Sequence, residues 1–251
     1  MGDQPLIRWD WIARNWDDPV GTRLLEHIQL ALVPILIGLL IAVPLGVVCA
    51  RWRWLYPSVF TGVNILYAVP SIALFFLLLP YTGFTQWTAI IPLSLYTLAI
   101  LVPNVVDGLY QVPQHVRQAA IAMGFSPLRR LIQVELPIAL PVAIAGLRVA
   151  AVATISMVSV ASLVGLGGLG QLILTDGFRR QFPTPIIVGI VLSVLLAFLV
   201  DGLLVLMQRL LTPWTRGSER AARRTSAARR EAGAGTTAPA TDTGSRRAEA
   251  T

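Results

Sequence analysis

Five stretches of this chain stay apolar for about twenty residues at a time, and short polar segments separate them. They run from about His27 to Ala50, Pro57 to Leu79, Trp87 to Val106, Pro137 to Leu163 and Ile186 to Gln208. An α-helix rises about 1.5 Å per residue, so each stretch matches a hydrocarbon core of about 30 Å and is predicted to cross a bilayer. Pro34, Pro44, Pro70, Pro92, Pro103 and Pro141 fall inside these stretches. Such prolines break helices in water, but in a membrane bundle neighbouring helices re-satisfy the freed carbonyls. The pattern therefore predicts an all-α integral membrane protein of about five transmembrane helices, some of them kinked around a shared space.

Composition supports the membrane reading and narrows the partners. The 251 residues are 55% hydrophobic and only 13% charged, with mean hydropathy +0.68, outside the range of a soluble domain. A secretory signal peptide does not explain this, because Asp3, Asp10, Asp17, Asp18 and Glu26 crowd the start and the apolar runs recur throughout, so targeting is expected to use an uncleaved first span. All 20 basic residues are arginine, and those from Arg209 to Arg247 concentrate in the tail. The pI of 10.7 therefore reports a basic tail and no nucleic-acid groove. Runs such as AGAGTTAPATDTGS hold too few large apolar residues to offset ordering entropy, so 212–251 is read as a disordered, basic cytoplasmic tail, with a patch on anionic lipid headgroups as the alternative. Cys49 has no cysteine partner and reads as a small packing residue.

Arginine placement sets an expected orientation. Arg51 and Arg53 lie between spans one and two, Arg117, Arg129 and Arg130 between three and four, and Arg209 onward after five; these regions are expected in the cytoplasm. The segment 1–22, rich in acids, and the uncharged PYTGFTQ are expected outside, with Arg179 and Arg180 the one discordant pair. The N-terminus is then outside, the C-terminus inside, and 23–211 forms the transmembrane domain.

Within it, 113–137 is basic and amphipathic. Pro113 is expected at the first helical position, with Val116, Ala119, Ala120 and Met123 as one apolar stripe. Gly124 then ends the helix in the left-handed conformation, and Ser126-Pro127 starts a second short helix carrying Leu128, Leu131 and Ile132, which ends at Pro137. An interfacial helix would want large residues on its lipid face, whereas the small Ala119 and Ala120 suit close approach to another protein.

Gln118-Ala119-Ala120, then Gly124, then Val134, Leu136 and Pro137 resemble the signature "EAA, three residues, G, nine residues, I, one residue, LP" of permease subunits of binding-protein-dependent ABC importers. The spacing matches throughout; Gln118 stands where the family has Glu and Val134 where it has Ile. The resemblance implies a type I importer (MetI-like) transmembrane domain in the bacterial plasma membrane. It also implies that Gln118, Ala119, Ala120, Met123, Gly124, Leu136 and Pro137 belong to a coupling helix docking a separate cytoplasmic ATPase. A second permease chain, identical or different, and an extracytoplasmic solute-binding protein complete the implied assembly. VELPIALPVAIAGLRVA, LVGLGGLG and AVPSIALFFLLLPYTGF look most like permeases for osmoprotectants such as glycine betaine, choline, carnitine or proline betaine, over about residues 22–210. Another small solute, an amino acid, cation or oxyanion, is the alternative, and a secondary transporter the next.

The chain has no lysine and so no phosphate loop; no catalytic set, metal cluster or cofactor site is expected, ATP being bound by the partner. Gly165, Gly167 and Gly170 fit G-x-G-x-x-G, but they follow a membrane-length run and an apolar Ile190 stands where a ribose-binding acid belongs. Gly165, Gly167, Gly168 and Gly170 read instead as a break at the outer end of span four, allowing either bending during gating or close helix packing. His27 and His115 lie at boundaries and are expected to be solvated. Arg148, about 16 Å beyond Pro137, and Asp201, about 12 Å before Arg209, are charged groups at similar depth. They either pair or serve a pathway separately.

Overall fold

The computed structural model describes residues 6–213. Residues 214–251, on which most of the disordered-tail reading falls, lie outside the described residues. Regular structure among the described residues is helical: α1 (Trp9–Arg14), α2 (Thr22–Arg51), α3 (Leu55–Ala68), α4 (Ser71–Thr82), α5 (Trp87–Tyr110), α6 (Gln114–Ala122), α7 (Pro127–Arg130), α8 (Leu136–Ala161), α9 (Leu169–Gln171) and α10 (Pro183–Leu211). Four helical runs are long and apolar enough to cross a membrane: Trp16–Arg51, which is kinked at Asp18, Trp87–Tyr110, Pro127–Val164 and Pro183–Leu211.

The second predicted span is not one helix. α3 and α4 meet at 88°, and five spans are reached only if this bent pair counts as one. Pro70 supplies no N–H and pushes the preceding Val69 into extended backbone (ψ 130°), which ends α3. The Tyr96 hydroxyl donates to the freed Val69 carbonyl at 2.8 Å, so the break is satisfied from α5. Pro34, Pro44, Pro92, Pro103 and Pro141 leave their helices unbroken.

α5 forms the centre of the bundle, with α2 and α8 packed on it. In its most apolar stretch 67% of residues are buried, against 6% for α10, which lies on the outside. One layer of the core gathers Leu30, Phe75, Leu93 and Ile155, and a second gathers Ala42, Cys49, Leu101, Val102 and Ala151. Cys49 is fully buried, as a small packing residue should be. Exposed Trp52 and Trp54 flank one end of α2, and Trp16, Tyr81 and Trp87 flank the other end of the bundle, the placement of aromatic anchors at a membrane–water interface.

Glycine sets how closely these helices approach. A Cβ at Gly108 of α5 would lie 2.8 Å from the Ala139 carbonyl oxygen of α8, a backbone atom that cannot swing away. Gly108→Leu is therefore expected to destabilise the bundle by about 1–3 kcal/mol, through overpacking. Gly62→Leu, where no atom lies within 4 Å, should be silent. Thermal unfolding of the two detergent-solubilised variants checks the contrast, and equal midpoints would show that α5 and α8 are not held this closely.

Candidate functional site

At the arginine-rich end of the bundle, α6 and α7 form a helical hairpin. Pro113 caps α6 in extended backbone (ψ 141°) and is not its first helical residue, one position off the prediction. Gly124 has φ +79°. Its N–H donates to the Ile121 carbonyl at 2.9 Å and that of Phe125 to Ala120 at 3.1 Å, closing a left-handed helix end. Ser126 Oγ accepts the Arg129 N–H at 3.4 Å, with Pro127 in the first turn of α7. The Arg129 guanidinium covers the Phe125 ring at 4.5 Å and donates to Gln133 Oε1 at 3.0 Å, fixing the turn from both sides.

The second helix does not end at Pro137. α7 passes through a π-helical turn, Leu131–Glu135, directly into α8. Pro137 cannot donate and crowds the carbonyl one turn back, and a widened turn makes room without a break. Leu136 and Pro137 are half-buried there, so the hairpin is a continuous extension of the α8 span.

The predicted apolar stripe divides. Ala120 is buried and Val116 half-buried, whereas Gln118, Ala119 and Met123 face outward. With Ile121, Leu128 and Ile132, each more than half exposed, Ala119 and Met123 leave an apolar patch that nothing within the described residues covers. Glu135, which sequence reasoning passed over, anchors the hairpin: Arg130 Nε donates to it at 2.8 Å and Arg117 Nε lies 3.7 Å away. It is the only acidic residue between Asp107 and Asp176, a signal available in the sequence.

At the other end of α8 the chain turns through Gly165, Gly167 and Gly168, all at positive φ, before α9. Gly170 contributes close approach instead, a Cβ there lying 2.5 Å from the Ser159 carbonyl oxygen. The Gly168 N–H donates to Glu26 Oε2 at 2.9 Å, and the Leu169 N–H to His27 Nδ1 at 3.2 Å. His27 Nε2 in turn reaches the Ile155 carbonyl at 3.1 Å, so Nδ1 is the acceptor and Nε2 carries the proton. Two of the loop's backbone amides, those of Gly168 and Leu169, are thus taken by side chains of α2. The expectation of a solvated His27 is overturned: the residue is fully buried, because its helix begins well before it and the glycine loop folds over it. Its neighbour Glu26 also pairs with Arg23 at 2.9 Å. The adjacent Glu26-His27 at the mouth of an apolar run was the missed signal. His115 is exposed, as expected.

Replacing His27 by Leu would orphan the buried Leu169 N–H at about 1–3 kcal/mol, while the Ile155 carbonyl keeps its bond within α8. The expected result is an unfolding midpoint lower by roughly 2–12 °C. An unchanged midpoint would show that the histidine clasp contributes nothing.

Arg148 of α8 and Asp201 of α10, 53 positions apart, are brought together. Arg148 Nε donates to Asp201 Oδ1 at 2.7 Å and Nη2 to Oδ2 at 2.9 Å, a bidentate pair. Arg148 and Asp201 also line an open cavity of about 590 Å³ with Ala145, Val149 and Val152. A second cavity of about 610 Å³ shares Asp201 and adds Ser156, Ser159, Ser193 and Phe198. Of the two readings left open by the sequence, the geometry shows the pair, and it stands beside a cavity.

Residues 42–213 match the family described as binding-protein-dependent transport system inner membrane component. The chain is 34% identical over 188 residues to the choline transport system permease protein OpuBB of Bacillus subtilis (strain 168), covering 75% of this chain and 86% of that protein. It is 35% identical over 193 residues to the osmoprotectant import permease protein OsmW of Salmonella typhimurium, covering 75% and 89%. Among solved structures, the MetNI methionine ABC transporter in inward-facing conformations contains a chain that superposes with TM-score 0.70 at 25% identity, over 78% of this chain and 99% of that one. A hairpin built onto a spanning helix, a bundle centred on α5 and a family match over most of the chain converge: this is a multi-pass membrane permease component of an ABC importer, a member of the binding-protein-dependent transport system inner membrane component family and not its catalytic subunit.

Proposed function

We propose that this chain forms half of the membrane pathway of an ATP-driven importer for a small osmoprotectant of the choline and glycine betaine kind, delivered from outside by a solute-binding protein. Support for the solute class comes from the relatives' names, choline transport and osmoprotectant import. The observation that carries the coupling role is the exposed apolar patch of Ala119, Ile121, Met123, Leu128 and Ile132 on a hairpin continuous with α8. A chain with no lysine has no phosphate loop, so its energy comes from a cytoplasmic ATPase docked on that patch. Closure of the ATPase then moves α8, and with it the Arg148–Asp201 pair and the glycine loop at its far end, which serve as gating elements. The arginine-rich end faces the cytoplasm, the N-terminus lies outside, and a second permease chain covers the cavity beside Asp201.

The test is uptake of labelled choline and glycine betaine by cells lacking other osmolyte importers and supplied with the cognate ATPase and binding protein. ATP-dependent uptake of either solute supports the reading. Uptake of methionine in their place would keep the importer and overturn the solute class.

A further inference from the structure

A cavity of about 440 Å³ opens where α2 and α5 reach the arginine-rich end of the bundle, bounded on its other side by the hairpin. Its polar wall holds Arg51, Arg117 and Arg130 against a single carboxylate, Glu135. Glu135 meets only part of that charge. Arg130 takes it at 2.8 Å, whereas Arg117 Nε stands 3.7 Å off, inside ion-pair reach but beyond a hydrogen bond. That N–H is buried and has no acceptor among the described residues. Arg51 has no ion-pair partner among the described residues. A buried donor without a protein acceptor, beside unmatched positive charge, is a place where an anion in the cavity can supply the missing oxygen.

We propose that this cavity binds a phosphate-bearing anion, and that the anion is the headgroup of an acidic phospholipid. Guanidinium forks match phosphate oxygens, and three of them around one cavity exceed the single charge of Glu135, which suits a phosphate. Two features point to a lipid as its source. The remaining wall is apolar, with Val47, Leu109 and Leu131, of use to an acyl chain or glycerol backbone but not to a free ion. The mouth also lies at interfacial depth, because Arg51 is followed by exposed Trp52 and Trp54. Basic pockets between membrane helices hold acidic headgroups for these reasons. A lipid there would join α2, α5 and the hairpin, so membrane composition would set the stiffness of the segment proposed to receive the ATPase. Lipid binding by the isolated chain does not depend on transport, so its absence would leave the importer reading untouched.

The experiment uses the full-length chain, delipidated in neutral detergent and titrated with phosphatidylglycerol, phosphatidylcholine or sodium phosphate, with retained lipid read by native mass spectrometry. Phosphatidylglycerol is expected to bind saturably, one per chain, and tighter than phosphatidylcholine. Arg51→Gln, at a residue with no ion pair among the described residues, should weaken retention about fivefold, and Arg51→Lys should restore most of it. Arg117→Lys, which keeps the charge and removes the orphaned donor, should also weaken it. Equal retention of the two lipids, or wild-type retention by both Arg51→Gln and Arg117→Lys, would overturn the site. Displacement of the lipid by sodium phosphate at comparable concentration would assign the cavity to the free ion and overturn the lipid source. Expulsion of lipid on adding the ATPase, with Arg51→Gln altering only ATPase affinity, would make the occupant a partner carboxylate and overturn the proposal.

Discussion

Neutralising either Arg148 or Asp201 alone is expected to reduce solute uptake by roughly tenfold or more at matched membrane levels. The pair is bidentate, with both oxygens of Asp201 engaged, so each side chain is the other's main source of compensation. Arg148→Ala leaves an aspartate, and Asp201→Ala an arginine, to face the apolar cavity lining unpaired. The uncompensated charge, more than the lost contact, carries the cost. The double neutralisation is accordingly expected to be milder than either single change, and the exchange Arg148→Asp with Asp201→Arg should recover part of the activity. A double-mutant cycle on uptake and on unfolding midpoint measures the coupling. Losses that simply multiply would show that the two residues act separately along the pathway, whatever their distance at rest.

Gly124→Val is expected to abolish most transport while leaving the membrane bundle folded. No atom lies within 4 Å of a Cβ built at this position, so space is not the obstacle. The obstacle is the backbone: φ +79° places a Cβ against its own carbonyl, at about 1–2 kcal/mol for an ordinary residue and more for a β-branched one. Relief requires the turn to open, which separates α6 from α7 and disperses the exposed patch of Met123, Leu128 and Ile132. Uptake and ATPase co-purification should both fall about tenfold, whereas Gly124→Asn, which tolerates the left-handed region, should keep most of both. Equal loss in the two variants would point to a role for the missing side chain rather than for the turn.

How much was legible beforehand divides along physical lines. The spans could be read because hydrocarbon imposes length and apolarity on every crossing segment. The hairpin could be read because Gly124, Ser126 and Pro127 act within four residues of themselves. The 88° bend at Pro70 was half legible. Proline removes a donor wherever it stands, but whether the helix breaks depends on a neighbour such as Tyr96 taking the freed carbonyl, and Pro34 and Pro103 bring no such break.

The sequence by itself thus determined a membrane bundle, its approximate spans, a glycine-hinged hairpin and the family signature, all set by solvent and by short-range backbone chemistry. Only the tertiary structure decided that His27 is a buried clasp 142 positions from the loop it holds, that Arg148 and Asp201 meet across 53 positions, and that Arg117 and Arg130 share Glu135. The physical reason is that a side chain's burial and partners depend on which faces of distant helices are packed together. Here close approach at Gly46 and Gly108 sets those faces, and neither periodicity nor composition along one helix records what lies opposite it.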